Sequence, residues 1–305
     1  MNKPQNIKGH LCMLGASSMW GLMAPIGKDA MSSGITGLQM ICFRVVGAAV
    51  CFWLAGIIFD KINGTNENSP KLQRSDYFQL LGAALFAVVF NQGNYIIGLS
   101  ITSPLNASIM TTTMPIFTMI LAFLFLREPI TWLKSLGVVV GACGAATLIL
   151  ASANGAVGGG VLRGDVMCVV AQCSYAVYLT AFKGVIQKLP AITCMKWMMT
   201  FASIIMVPIA FPTFSLDVLQ DISVNTWLEV AFVVFGGTFF SFLLCVTAQK
   251  ILRPTVVAMY NYVQPIVSCA VSVLLGIGVL GWSHPLAIVL VFTGVFMVNN
   301  SRARK

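Results

Sequence analysis

Residues 94–131 read NYIIGLSITSPLNASIMTTTMPIFTMILAFLFLREPIT, and the organisation of the chain follows from how that stretch is parsed. It holds the tail of one apolar helix, a short turn ending at Pro104, and a second apolar helix reaching Leu126 with Pro115 in its middle. Arg127, Glu128 and Pro129 then stop it. The pattern returns 150 residues later, where Pro254 takes the place of Pro104 and Pro265 that of Pro115. In a chain with only 12 prolines, two in register twice over point to a duplicated unit.

That unit belongs in a bilayer. Hydrophobic residues make up 58% of the 305, charged ones 9%, and the mean hydropathy is +0.88, whereas soluble domains carry roughly 25% charge. Apolar runs of about 20 residues, the length that crosses the hydrocarbon, recur throughout. They are expected at 11–29, 37–59, 77–99, 104–126, 132–151, 165–186, 193–212, 226–249, 254–276 and 284–300. The fold expected is an all-α integral membrane protein of ten transmembrane helices in two five-helix repeats. Residues 1–151 form the first, 165–305 the second, and the glycine-rich stretch 152–164 joins them. The longest polar interruption, 60–76, reads as a surface loop.

Five spans is an odd number, so the second copy must enter the membrane upside down, as an inverted repeat. In the early spans the register is 155, pairing Trp20 with Tyr175, Lys28 with Lys183 and Met40 with Met195. From the third span it is 150, pairing Phe90 with Phe240 and Gly144 with Gly294. Inverted repeats are an architecture of secondary transporters, with the substrate site where the repeats meet.

The net charge of +9 is scattered singly between apolar spans, without the basic stripe interleaved with aromatics that nucleic acid requires. Its distribution is topological. With a cytoplasmic amino terminus, 14 Lys and Arg fall in loops on that side and only Lys28 and Arg163 on the other. Basic loops stay inside, so both termini are expected in the cytoplasm and the chain in the cell membrane. Lys3, Lys8 and the run from Leu11 mimic a secretory signal. Ser17, Ser18 and Trp20 interrupt it and no A-x-A site follows, so the first helix is expected to be retained. The nine cysteines show no CxxC or Cys/His spacing and read as small buried hydrophobes. Neither a metal nor a cofactor is expected.

The text from Tyr95 to Ser103, the proline at 115 and the string Glu128-Pro129-Ile130-Thr131 together resemble the EamA repeat. By these marks the chain is similar to the ten-helix members of the drug/metabolite transporter superfamily, with two repeats covering nearly all of it. It departs from the pattern where the second counterpart of Glu128 falls at Gly278. The resemblance implies an exporter or facilitator of small organic metabolites. It also implies a central cavity lined by helices one, three, four, six, eight and nine, with five and ten at the periphery.

Polar groups inside spans are costly and single out candidate cavity residues. Arg44, opposite Met199 in the second half, either attracts an anionic group such as a carboxylate or snorkels and caps backbone. Asn91, Asn94 and Tyr95 share a face of span three at i, i+3 and i+4. Asn261, Gln264 and Ser268 share one of span nine, beside Pro265 and flanked by Tyr260 and Tyr262. Its mirror in span four is Thr111, Met114 and Thr118 beside Pro115. Each of these prolines frees a carbonyl one turn back, around Asn261 and Thr111. Trp20, Tyr175 and Tyr178 in the opening helices either stack on a substrate or fill core. Lys28 and Lys183, at matching span ends, are gate candidates or interfacial anchors, and Glu128 is a third gate candidate. Gly137, Gly141 and Gly144 form a small-residue face suited to close packing within a monomer, with a homodimer as the other use.

All nine carboxylates lie in loops or within about a turn of a span end, so an intramembrane acidic relay is missing. Proton coupling would fall to Glu128, Asp165 or Glu229 at the rim; uniport needs none of them. The expected function is secondary transport of small organic solutes, amino acids and related compounds first. An ATP-driven pump is excluded within this chain, since no GxxxxGK[ST] loop occurs. A membrane enzyme acting on a lipid-linked substrate lacks any HExxH, DxD or GxSxG string. A channel lacks a ring of carbonyls or charges.

Overall fold

A computed structural model describes residues 3–63, 72–102, 107, 110–153, 162–214, 222–274 and 283–301. Pro104, Gly278, residues 64–71 of the loop 60–76 and 154–161 of the stretch 152–164 lie outside these residues, as do the side chains of Ser268 and Cys269. Among the described residues the backbone is helical, without strands. The first half comprises α1 (Lys3–Ser32), α2 (Gly37–Asn63), α3 (Arg74–Ile101), α4 (Met114–Leu126) and α5 (Trp132–Ala153). The second comprises α6 (Leu162–Ala181), the short α7 (Lys183–Lys188), α8 (Ala191–Ala210) and α9 (Val224–Gln249), then α10 (Pro254–Met259), α11 (Val263–Leu274) and α12 (Ser283–Asn300). Among the described residues, four stretches are long and apolar enough to cross a bilayer: Gly37–Lys61, Arg74–Ile101, Ala191–Thr213 and Val224–Gln249.

The surface has the inverse of a soluble distribution. Val50, Leu54, Ile57 and Ile58 on α2 and Phe123, Leu124 and Phe125 on α4 are exposed, while Arg44, Lys134 and Gln39 are buried. An apolar rind of that extent belongs against lipid.

Two helices carry the same irregularity at the same offset. α3 passes through a π-helical turn at Leu85–Phe90, and α9 through one at Phe235–Phe240, 150 residues on. π-turns are rare and frequently mark functional sites. Here each delivers a polar residue to the interior. Asn91 follows the first; Thr238 lies within the second and donates to Val233 O five residues back, at 2.8 Å.

The prolines break helices more than they bend them. Pro115 stands in the first turn of α4, after a turn at Thr112 and Thr113 whose Oγ1 donates to Met110 O at 2.6 Å. Pro265 lies in the first turn of α11, after a 3-10 turn at Tyr260–Tyr262. Both follow from a ring that has no N–H and clashes with the carbonyl four residues back. Pro254 opens α10 at its first turn, where a missing N–H costs nothing.

A further span departs from expectation, without a proline. The helix expected over 165–186 ends at Ala181 and restarts at Lys183, with Phe182 at φ −100° and ψ 9° between them. The Phe182 ring occupies the space that a Cβ on Gly82 would need, at 2.7 Å, so the break seats an aromatic against α3. α5 and α12 pack through glycines: a Cβ on Gly137 would stand 2.9 Å from Gly294 O, and one on Gly144 2.8 Å from Leu290 Cβ. The small-residue face is used within the chain.

Candidate functional site

α1, α3, α4, α6 and the α10–α11 segment surround an interior cavity, of which about 40 Å³ is open to the centre of a water molecule. That is room for roughly three waters. It is lined by Trp20 and Met23; Asn91, Gln92 and Tyr95; Thr111 and Met114; Gln172 and Tyr175; and Asn261 and Gln264.

The polar side chains form two short chains of hydrogen bonds. Gln264 Nε2 donates to Asn261 Oδ1 at 2.9 Å, and Asn261 Nδ2 lies 3.4 Å from Gln172 Oε1 and also faces the Met114 sulfur. Across from them Gln92 Nε2 donates to Asn91 Oδ1 at 2.6 Å, and Asn91 Nδ2 to Ala171 O at 2.8 Å. The breaks before Pro115 and Pro265 set Thr111, Met114 and Asn261 at this level. Two buried polar atoms of the lining have no hydrogen-bond partner among the described residues: Trp20 Nε1, a donor, and Gln92 Oε1, an acceptor. Unmet polar atoms in a low-dielectric interior cost roughly 1–3 kcal/mol each, which a guest with a matching acceptor and donor would return. Trp20 is held edge-on by Tyr175 at 6.2 Å and Phe242 at 5.7 Å.

Of the expected residues, Trp20, Asn91, Tyr95, Thr111, Met114, Tyr175, Asn261 and Gln264 therefore meet at one cavity. Others stand elsewhere. Asn94 turns away and donates to Phe90 O of its own helix at 2.6 Å. Tyr260 is engaged with His10 Nδ1 at 2.7 Å, and Tyr178 packs behind Tyr175 at 5.2 Å. No residue of α9 is in the lining; Phe242 backs Trp20 instead. Met23, Gln92 and Gln172 join without having been singled out. Gln172 was accessible to reasoning, since it precedes Tyr175 by one turn and pairs with Ser17 in the 155 register.

Arg44 lies behind the wall, 1% exposed, with Nε donating to Thr238 Oγ1 at 2.9 Å. Its Nη1 and Nη2 have no partner among the described residues, and the Tyr95 phenol is its electrostatic neighbour.

The gate candidates differ sharply. Lys28 Nζ reaches the end of α3, donating to Leu99 O at 2.8 Å and Ser100 O at 3.1 Å. Thr102 Oγ1 beside it donates to Asp165 Oδ1 at 2.6 Å. Lys183, its register mate, makes no hydrogen bond or ion pair among the described residues and stands beside open space. Glu128 has a partner that the sequence reading missed: Lys134 Nζ at 2.8 Å, buried, with Thr255 Oγ1 at 3.2 Å from the same carboxylate oxygen. It ties α4 to α5 and α10 away from the cavity.

A family model described as the EamA-like transporter family matches residues 7–150 and again 162–300. An uncharacterized transporter of Methanothermobacter thermautotrophicus is 26% identical over 154 residues, 46% of this chain and 43% of that protein. The match thus spans less than half the length of that relative. A protein of known crystal structure superposes with a TM-score of 0.71 over 99% of this chain and all of its own, at 16% identity, a likeness of fold.

Proposed function

Since the chain belongs to the EamA-like transporter family and is a multi-pass membrane protein, we propose that it carries small organic metabolites across the cell membrane without ATP, by alternating access. Ten spans in two inverted repeats, 1–151 and 165–305, enclose the cavity, and both termini face the cytoplasm. Amino acids and related compounds are the leading substrates. The proposed transport unit is a single chain.

The observation that carries this reading is the cavity: eight amide and hydroxyl side chains from both halves, beside Trp20, with a donor and an acceptor unmet among the described residues. A solute bearing an amino and a carboxyl group offers the complement of both. Arg44 fits the same chemistry. A fully buried guanidinium with two free nitrogens is costly, and a substrate carboxylate reaching past Tyr95 supplies its counter-charge. The present hollow is too small for such a solute, so loading requires the helices to part.

The ends of the bundle support that motion. Lys28 is docked on the carbonyls of α3, where a cation meets the negative end of the helix dipole. Lys183, its counterpart, is undocked. Alternating access exchanges these roles.

Saturable, counterflow-stimulated uptake of amino acids into proteoliposomes tests the proposal. Asn261→Ala and Gln264→Ala are each expected to lower uptake at least tenfold while insertion and melting temperature hold. Both variants transporting like the parent would remove the cavity from the mechanism.

A further inference from the structure

A second hollow opens at the end of the bundle where Gly9 of α1 packs against Ile251 and Leu252 and where α12 finishes. Its volume is about 450 Å³, within the range of small-molecule sites. Four cations border it, Lys8, Lys183, Lys250 and Arg253, with Gln187 between them and no carboxylate among its described lining residues. Asp76, at the same end, is taken by Lys188 at 2.7 and 2.8 Å.

Two of the four cations have structural work. Arg253 Nη2 donates to Val298 O at 3.0 Å and Asn299 O at 2.8 Å, capping α12, and Lys250 Nζ donates to Leu189 O just past α7. Lys8 and Lys183 have none: neither makes a hydrogen bond or ion pair among the described residues. The inward bias of basic loops accounts for cations at this end of the molecule. It does not account for four of them around one concavity, where like charges repel and a dry wall strengthens the repulsion. A bound counter-charge would offset that repulsion.

We propose that this vestibule is a phosphate-binding site, taking the phosphate group of a soluble anion or of a lipid headgroup. Lysine ammoniums are point charges suited to the dispersed oxygens of phosphate. Lys8 and Lys183 supply the free donors, and Arg253 and Lys250 the fixed positive rim. Lys183 and Leu252 also border a small void beneath the vestibule, together with Gln249. Gln249 Nε2 donates to Cys245 Sγ at 3.2 Å, and that sulfur lies 3.3 Å from the hydroxyl of Tyr175, which lines the central cavity. If the transport reading holds, the site guards the mouth of the route; the binding itself does not depend on that reading.

Purified full-length protein is titrated with inorganic phosphate at constant ionic strength, following melting temperature. In parallel, native mass spectrometry records retention of phosphatidylglycerol against phosphatidylcholine. A saturable rise with phosphate assigns a soluble anion; selective retention of phosphatidylglycerol alone assigns a headgroup. Either is expected to weaken about tenfold or more in the double variant Lys8→Gln/Lys183→Gln, to survive in Lys183→Arg, and to fade as salt approaches 1 M. Neither substituted lysine bonds to the described residues, so the unliganded melting temperature should hold or rise. Asn261→Ala should lose counterflow yet keep the binding, which separates this site from the transport reading. The proposal fails if neither ligand binds, or if binding is indifferent to the loss of both lysines.

Discussion

At the scale of single residues, Arg44 poses the sharpest question, because burial and function pull its substitutions in opposite directions. Among the described residues its only bond is the 2.9 Å donation to Thr238, while Nη1 and Nη2 are unmet. Replacing a poorly compensated buried charge by an apolar side chain of similar volume is often neutral or stabilising. Arg44→Met, which installs the residue of its counterpart Met199, is therefore expected to hold or raise the melting temperature in detergent while lowering uptake of carboxylate-bearing solutes more than tenfold. A large loss of stability with normal uptake would instead make Arg44 a structural strut. Asn94 marks the limit of sequence reasoning at this scale. Asn91, Asn94 and Tyr95 share one face of an ideal helix, but the real lining face is Asn91, Gln92 and Tyr95. That rotation depends on how α3 packs, which spacing alone does not carry. The Tyr260–His10 pair, 250 residues apart in sequence, was invisible for the same reason.

At the scale of elements, what local chemistry dictates was readable and what neighbours dictate was not. Pro115, Pro254 and Pro265 announce their breaks and starts in the text. The π-turns at Leu85–Phe90 and Phe235–Phe240 do not, since nothing in LFAVVF or FGGTFF demands an extra residue per turn. Phe182 interrupts α6 because Gly82 leaves a socket for its ring. The glycine face of α5 was legible, and its partner α12 makes it testable. A Cβ on Gly294 would lie 2.6 Å from the backbone carbonyl of Gly137, an atom unable to yield. Gly294→Val should cost about 2–3 kcal/mol by overpacking, read as a lower melting temperature. Counterflow per folded molecule should persist, because no cavity-lining residue sits on α5 or α12. Arg127 gives the opposite case. It ends α4 at φ 52°, a left-handed conformation that costs a non-glycine residue about 1–2 kcal/mol. Arg127→Gly is expected to stabilise the protein by about 1 kcal/mol, and a fall in melting temperature would mean that the guanidinium has work of its own.

At the scale of the whole molecule, the duplication read from two prolines implies equivalent ends, and the structure makes them unequal. Lys28 holds the end of α3 through its carbonyls, whereas Lys183 stands free beside the 450 Å³ vestibule. A symmetric sequence pattern cannot say which of two equivalent latches is shut, because both conformations satisfy it. If docking each lysine is worth about 1.5–3 kcal/mol, as for hydrogen bonds from charged groups, removing one shifts the balance between conformers roughly tenfold to a hundredfold. Lys28→Met should therefore do more than loosen its own neighbourhood. In amide hydrogen exchange on protein in liposomes, exchange should rise at the end of α3, residues 97–101, and fall across 183–190 as Lys183 docks at the other end. Lys183→Met should leave both regions as they are in the parent, since that latch is already undone. A purely local change around residue 28, with 183–190 unmoved, would break the link between the two ends. The lysines would then be anchors, and the asymmetry no sign of a transport cycle.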